Sequence, residues 1–236
     1  MALSWPPQAM AVNAGGMPGG RGLAGAWVAG LLPLIAVAAG RLLALRLMTA
    51  IAGITDGMTV WLGGDSAGVS GTSLSVRADP KVFVSGPYVV GFTTSFRMGQ
   101  LLRYAFAPPS PEPGADLHEH MCTAFIGALR ACLKAGGWAS RKDDQESGGN
   151  FLAGTGGRLF EVFSDYSVAE RVGFYAATGC GEDVVMGALH ATEGLGMDPE
   201  LRLRTALAAA AYHSTGVCAP FLVVRTPPAE AGEAAA

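Results

Sequence analysis

A hydroxyl and an amine on one residue form a nucleophile and its base within a single side chain and terminus, and Thr49, which follows Met48, is placed to offer both. If Met48 initiates and is removed, as methionine aminopeptidases do before a small residue, Thr49 becomes the N-terminus. An α-amine titrates at about 7.7–8.0, against about 10.4 for lysine, so part of it is neutral near pH 7 and accepts the hydroxyl proton. A nearby ammonium lowers that value further. Lys81 is the candidate cation, with Asp65 as the carboxylate that orients and pairs it. Taken singly, Asp65 after Gly63-Gly64 reads as a turn cap, Lys81 after Asp79-Pro80 as a solvated strand-end charge, and Thr49 as an ordinary strand threonine. Their joint placement, at a strand start and at the ends of two hairpins, gives the set its weight.

A rival nucleophile is Ser66, because Gly64-Asp65-Ser66-Ala67-Gly68 matches G-x-S-x-G, the elbow that carries the serine of α/β-hydrolases. That elbow passes from a strand straight into a helix, whereas Ser66 is followed by Val69-Ser70-Gly71-Thr72-Ser73, which is turn and strand material. The context fails. Cys122, Cys132, Cys180 and Cys218 lie far apart with no C-x-x-C pair, so neither a zinc site nor a disulfide framework is signalled. They read as reduced thiols, in line with a cytoplasmic location. His118 and His120 point away from each other on a helix and read as polar surface residues.

The 236 residues suffice for one good-sized domain, and half of them are hydrophobic, which excludes a disordered polyelectrolyte. A net charge of −3 offers no cationic footprint for nucleic acid. Residues 1–48 differ from the rest: they hold Arg21, Arg41 and Arg46, no lysine and no acid. Up to Gly25 they are dense in proline and glycine, a composition that builds no core, so disorder is expected there. The apolar run 26–40 is broken by Pro33 and ends at Arg41, short of the roughly 20 residues that span a bilayer. A secretory signal, a propeptide, and an upstream stretch translated from a start called too early all fit this leader. The last is preferred, with Met48 as initiator. Residues 227–236 read as a disordered tail.

The span 49–226 is regular enough to be one domain. Asp56-Gly57 predicts a hairpin of strands over 49–55 and 58–62, and Ser85-Gly86-Pro87 a second over 81–84 and 88–92. Helical spacing predicts a helix over 95–106 and a longer one from Asp116 as N-cap to Gly136-Gly137. The polar stretch up to Gly149, with Asp143, Asp144 and Glu146, is expected on the surface, as are Arg97 and Arg103. Strands over 150–153, 158–163 and 173–178 follow, then helices over 182–193 and 199–215, the last capped by Asp198, and a final strand over 221–224. This order argues against βαβ units and for an α+β fold: a four-layer α/β/β/α sandwich of two antiparallel sheets flanked by helices.

On these residues the chain resembles the proteasome β-type, HslV-like N-terminal nucleophile hydrolases. The likeness lies in Thr49-Ala50-Ile51-Ala52-Gly53-Ile54, Leu62-Gly63-Gly64-Asp65, Lys81-Val82, Gly91-Phe92-Thr93 and Gly179-Cys180-Gly181. Asp65 and Lys81 stand 16 and 32 residues beyond Thr49, the family's own spacing. The resemblance implies a threonine-type endopeptidase, with Thr49 as nucleophile, its amine as base, and Asp65 and Lys81 as electrostatic partners. It implies an oxyanion held at the backbone N–H of Thr93, with the Gly91 to Thr93 loop receiving the substrate strand. Cys180, between Gly179 and Gly181, stands where the family has a serine near the nucleophile and gives weak assistance at most. Near His213-Ser214-Thr215-Gly216 the family's aspartate is missing. The chemistry needs no metal or organic cofactor. The resemblance further implies peptide or unfolded-protein substrates, a homo-oligomeric ring, an AAA+ unfoldase as partner, and neither nucleic acid nor membrane. Two rivals share the scaffold: an amidohydrolase acting on a small non-peptide amide, and a noncatalytic interaction module.

Overall fold

The computed structural model describes residues 49–142 and 145–228. The leader over 1–48, Asp143-Asp144 and the tail beyond residue 228 lie outside the described residues, so the expectations for them stay as stated. In chain order the elements are β1 (Ala50–Thr55), β2 (Val60–Gly64), β3 (Ala67–Ser70), β4 (Ser73–Val76), β5 (Val82–Ser85), β6 (Tyr88–Phe92) and helix α1 (Phe96–Tyr104). Helix α2 (Leu117–His120) runs through a π-turn (Met121–Phe125) into α3 (Ile126–Ala135). Then come β7 (Ser140–Lys142), β8 (Gln145–Ser147), β9 (Phe151–Thr155), β10 (Arg158–Val162), β11 (Val168–Glu170) and β12 (Tyr175–Gly179). Helices α4 (Glu182–Ala191) and α5 (Pro199–His213) and strand β13 (Leu222–Arg225) complete the fold.

Two larger antiparallel sheets form among the described residues, ordered β12-β1-β2-β13 and β11-β10-β9-β6-β5, beside the two-stranded β3-β4 and β7-β8. Strand alternation sorts their side chains into three apolar layers. From β1, Ala50, Ala52 and Ile54 pack on Val185 and Leu189 of α4 and on Leu203, Ala206 and Leu207 of α5. From the second sheet, Tyr88, Val90, Phe151 and Phe160 pack on Met98 and Leu102 of α1 and on Phe125 and Leu129. Between the sheets lie Ile51, Val60, Leu62, Val82, Val89, Leu152 and Leu159. The expected α/β/β/α layering is therefore present. The sheets approach closely at Gly91 and Gly154, where an added Cβ would come within 2.6 Å of Ile51 and 2.4 Å of Val60.

The hairpins and caps follow their local chemistry. Asp56 Oδ1 accepts the N–H groups of Met58 at 2.9 Å and Thr59 at 2.7 Å, closing the first hairpin. Asp116 Oδ1 accepts from His118 N at 2.8 Å, and Asp198 Oδ1 from Glu200 N at 2.9 Å, each satisfying an orphan donor of a helix start. The structure adds β3/β4, β7/β8 and β11 to the expected elements. These are short, mostly polar or exposed segments, so they leave no burial pattern to read. His120 departs from its expected surface role: it is part-buried, with Nε2 2.9 Å from the Tyr88 hydroxyl. Glu146 pairs with Arg130 at 2.7 Å. Among the described residues no helix is long and apolar enough to cross a membrane.

Candidate active site

The register of the first hairpin brings the candidate residues together. Ile51 stands opposite Gly64, and the Asp65 N–H donates to Ala50 O at 3.3 Å, so Asp65 leaves β2 beside Thr49 at the entrance to β1. Lys81 sits just before β5 of the other sheet, its carbonyl accepting from Phe92 N at 3.0 Å, and its side chain reaches across the gap between the layers. All three residues are buried: Thr49, Asp65 and Lys81 are 3 %, 2 % and 3 % exposed.

Asp65 is the hub. Its Oδ1 accepts from Lys81 Nζ at 2.8 Å, Thr49 Oγ at 3.0 Å and Ala50 N at 3.1 Å. Its Oδ2 accepts from Ala67 N at 2.8 Å and Cys218 N at 3.3 Å. Five donors on one carboxylate hold it immobile. Lys81 Nζ also donates to Thr49 Oγ, so the hydroxyl oxygen lies between a cation and an anion. Burial pulls the Lys81 ammonium below the ordinary lysine range, and the attraction of Asp65 opposes this without cancelling it. A cation forced to share its hydrogen-bonding with a hydroxyl oxygen stabilises negative charge developing there.

The Gly179-Cys180-Gly181 segment wraps the Thr49 backbone. Gly179 has φ +110°, and a Cβ there would sit 2.3 Å from Thr49 O, so only glycine fits. Gly181 N donates to Thr49 O at 3.3 Å. Cys180 Sγ accepts from Thr49 N at 3.3 Å and lies 3.4 Å from Ser214 Oγ.

Two expectations need correction. The Thr93 N–H is already donated to Asn150 O at 3.1 Å, and its hydroxyl donates to the same oxygen at 2.9 Å, so it is not free to hold an oxyanion. Gly91 lies buried between the sheets, in register with Val82 and Leu152, where it allows their close approach. Ser66 is followed by a strand and donates to Pro220 O at 2.7 Å, so no nucleophile elbow forms. Residues with no signal in the sequence also reach the site: Phe96 has its ring centroid 5.7 Å from Lys81 Nζ and 3.8 Å from the Arg77 guanidinium, which is itself paired with Asp79. Among the described residues no group of three His, Cys, Asp or Glu side chains could hold a metal ion.

No protein-family model matches the chain, and no curated protein sequence matches it. Solved structures do. BPH of Thiobacillus denitrificans in complex with epoxomicin is 19 % identical, with a TM-score of 0.63 over 76 % of this chain and 99 % of that one. A second structure of BPH from Thiobacillus denitrificans is 20 % identical, with a TM-score of 0.62 over 77 % of this chain and 100 % of that one. HslV of Trypanosoma brucei is 18 % identical, with a TM-score of 0.53 over 75 % and 98 %. The two sheets, their helix layers and these neighbours together show that the chain has the fold of BPH and HslV.

Proposed function

We propose that the protein is a threonine-type endopeptidase that cuts peptide bonds through an acyl-enzyme on Thr49. The observation that carries this reading is the buried Thr49 hydroxyl, hydrogen-bonded to both Lys81 Nζ and Asp65 Oδ1. Once the residues before Thr49 are removed, its nitrogen becomes an amine next to its own hydroxyl. The amine takes the Oγ proton, Oγ attacks the substrate carbonyl, and Lys81 steadies the charge on Oγ. The protonated amine then gives its proton to the leaving nitrogen, and water, activated by the same amine, releases the acyl group. With Thr93 engaged, the oxyanion falls to the N–H groups of Thr94 and Ser95, which find no acceptor among the described residues.

A homo-oligomeric ring fed by an AAA+ unfoldase in the cytoplasm is part of the same proposal. Epoxomicin, held by one structural neighbour, is a direct probe of it. The test expresses the full reading frame, reads the N-terminus by intact mass, and assays hydrolysis of fluorogenic peptides with and without epoxomicin. A chain starting at Thr49, with hydrolysis blocked by epoxomicin and abolished in Thr49→Ala, supports the reading. A mass retaining residues 1–48 with no hydrolysis favours a noncatalytic module. A monomer or dimer by light scattering that cleaves small amides and leaves peptides intact favours the amidohydrolase.

A further inference from the structure

The segment after Asp65 and the start of helix α1 meet at Arg77. Its backbone N–H donates to Ser66 O at 2.9 Å, and its methylene stem lies across Gly68, where an added Cβ would come within 2.6 Å of Arg77 Cδ. The guanidinium carbon then sits 3.8 Å from the centroid of the Phe96 ring, and Lys81 Nζ lies 5.7 Å from that same centroid. One ring therefore joins the guanidinium to the ammonium that contacts Thr49 Oγ. We infer that Arg77 selects substrates with an acidic side chain on the residue whose carbonyl is attacked. The inference rests on the peptidase reading and names the class of peptide that its site prefers.

The position follows from the reaction geometry. A carbonyl attacked by Thr49 Oγ turns its oxygen to the N–H groups of Thr94 and Ser95. The side chain beside that carbonyl then runs toward the next residue of the same segment, Phe96, and toward the guanidinium stacked on its ring. Stacking on an aromatic face also holds the fork in one orientation before any peptide arrives.

The guanidinium is anchored without being used up. Asp79 Oδ1 accepts from Arg77 Nε at 2.7 Å and Asp79 Oδ2 accepts from Nη2 at 2.7 Å, which takes one edge of the planar fork. The edge that carries Nη1 has no acceptor among the described residues. An arginine fork has five N–H donors, so its free edge can grip a second carboxylate through two parallel hydrogen bonds. The Asp79 carboxyl is held below its ordinary range, chiefly by its hydrogen bond with Arg77, and Arg103 adds to the effect. Two guanidiniums thus act on one carboxylate, which leaves positive charge in excess, whereas Lys81 and Asp65 compensate each other. The Arg77 and Asp79 side chains are 37 % and 36 % exposed, so a bound peptide can reach them.

The test uses protein produced from the full reading frame and acetylated tetrapeptide aminomethylcoumarin amides that differ only in the residue before the coumarin: Glu, its isostere Gln, or Lys. The readout is the ratio of kcat/KM between two such peptides, which the fraction of folded enzyme does not change. The wild type should cleave the Glu peptide roughly tenfold better than the Gln peptide at low ionic strength, with the ratio falling as salt rises. Arg77→Met keeps the apolar stem over Gly68 and should bring the ratio to about one. Arg77→Glu should turn the preference toward the Lys peptide. Thr49-dependent hydrolysis with equal kcat/KM for the Glu and Gln peptides, or a Glu preference that survives in Arg77→Met, overturns the inference and leaves the peptidase reading standing. Hydrolysis of all three peptides no faster than in Thr49→Ala overturns both.

Discussion

Asp65→Asn isolates the physics of the site from its chemistry, because it strips the countercharge from Lys81 while keeping the side-chain shape. In the native fold the Lys81 and Asp65 side chains are 2 % and 0 % exposed and 2.8 Å apart. Removing one partner of a buried pair costs about 3–5 kcal/mol, since the remaining charge keeps its desolvation penalty and loses its attraction. That is a large part of the about 5–15 kcal/mol that holds a domain folded, and it corresponds to a fall in Tm of about 10 °C for a domain of this size. The loss should depend on pH with a definite sign. Lys81 already titrates below the ordinary lysine value in the folded state, and losing Asp65 deepens that depression. A lysine so depressed binds fewer protons folded than unfolded, so stability rises with pH between its folded and unfolded values. The deficit of Asp65→Asn is therefore largest at and below neutrality and shrinks as pH climbs toward 10. Adding Lys81→Met removes the stranded charge and should recover much of the lost stability. Urea melts of the wild type, both single variants and the double variant at pH 7 and pH 9.5 measure all of this. An Asp65→Asn deficit under about 1 kcal/mol, a deficit equal at both pH values, or a double variant no better than Asp65→Asn would refute the argument.

Other outcomes follow from the same geometry. Phe125→Ala removes a fully buried ring packed at 5.2 Å against both Tyr88 and Phe106, and should cost about 3–5 kcal/mol in a denaturant melt. Gly179→Ala drives a Cβ into the Thr49 carbonyl at φ +110°, so it should lose at least about 1–3 kcal/mol of stability together with peptide hydrolysis. Ser66→Ala should leave hydrolysis at the wild-type rate, since Ser66 Oγ is committed to Pro220 O; a loss comparable to that of Thr49→Ala would restore the serine elbow as a contender.

The layering and the central trio could be read from local chemistry. Asp-Gly and Ser-Gly-Pro turns mark the two hairpins, alternation marks their buried faces, and capping by Asp116 and Asp198 marks two helix starts. Once the first hairpin is placed, Asp65 must fall at a strand end near Thr49, because strand pairing leaves little freedom in where a chain emerges from a sheet, whereas Lys81 belongs to the other sheet and meets them only through the stacking of the two sheets. The π-turn in the helix from Asp116 and the hairpin of β3 and β4 left no such trace, the first because apolar spacing tolerates one extra residue, the second because β4 is exposed along its whole length.

The positions that remained hidden share one cause. Whether a backbone N–H is free depends on which carbonyl the fold presents to it, and Thr93 meets Asn150 from 57 residues away. The contacts of Thr49 with Cys180, and of Cys180 with Ser214, likewise join segments that no local periodicity relates. Residue types and turn signals therefore account for the candidate Thr49 and Asp65 and for the layers that carry them, while the approach of Lys81 depends on how the two sheets stack. The surroundings of the nitrogen and the choice of oxyanion donor arise from long-range packing, in which each group's hydrogen-bond partner is set by the assembly of both sheets and not by its neighbours in the chain.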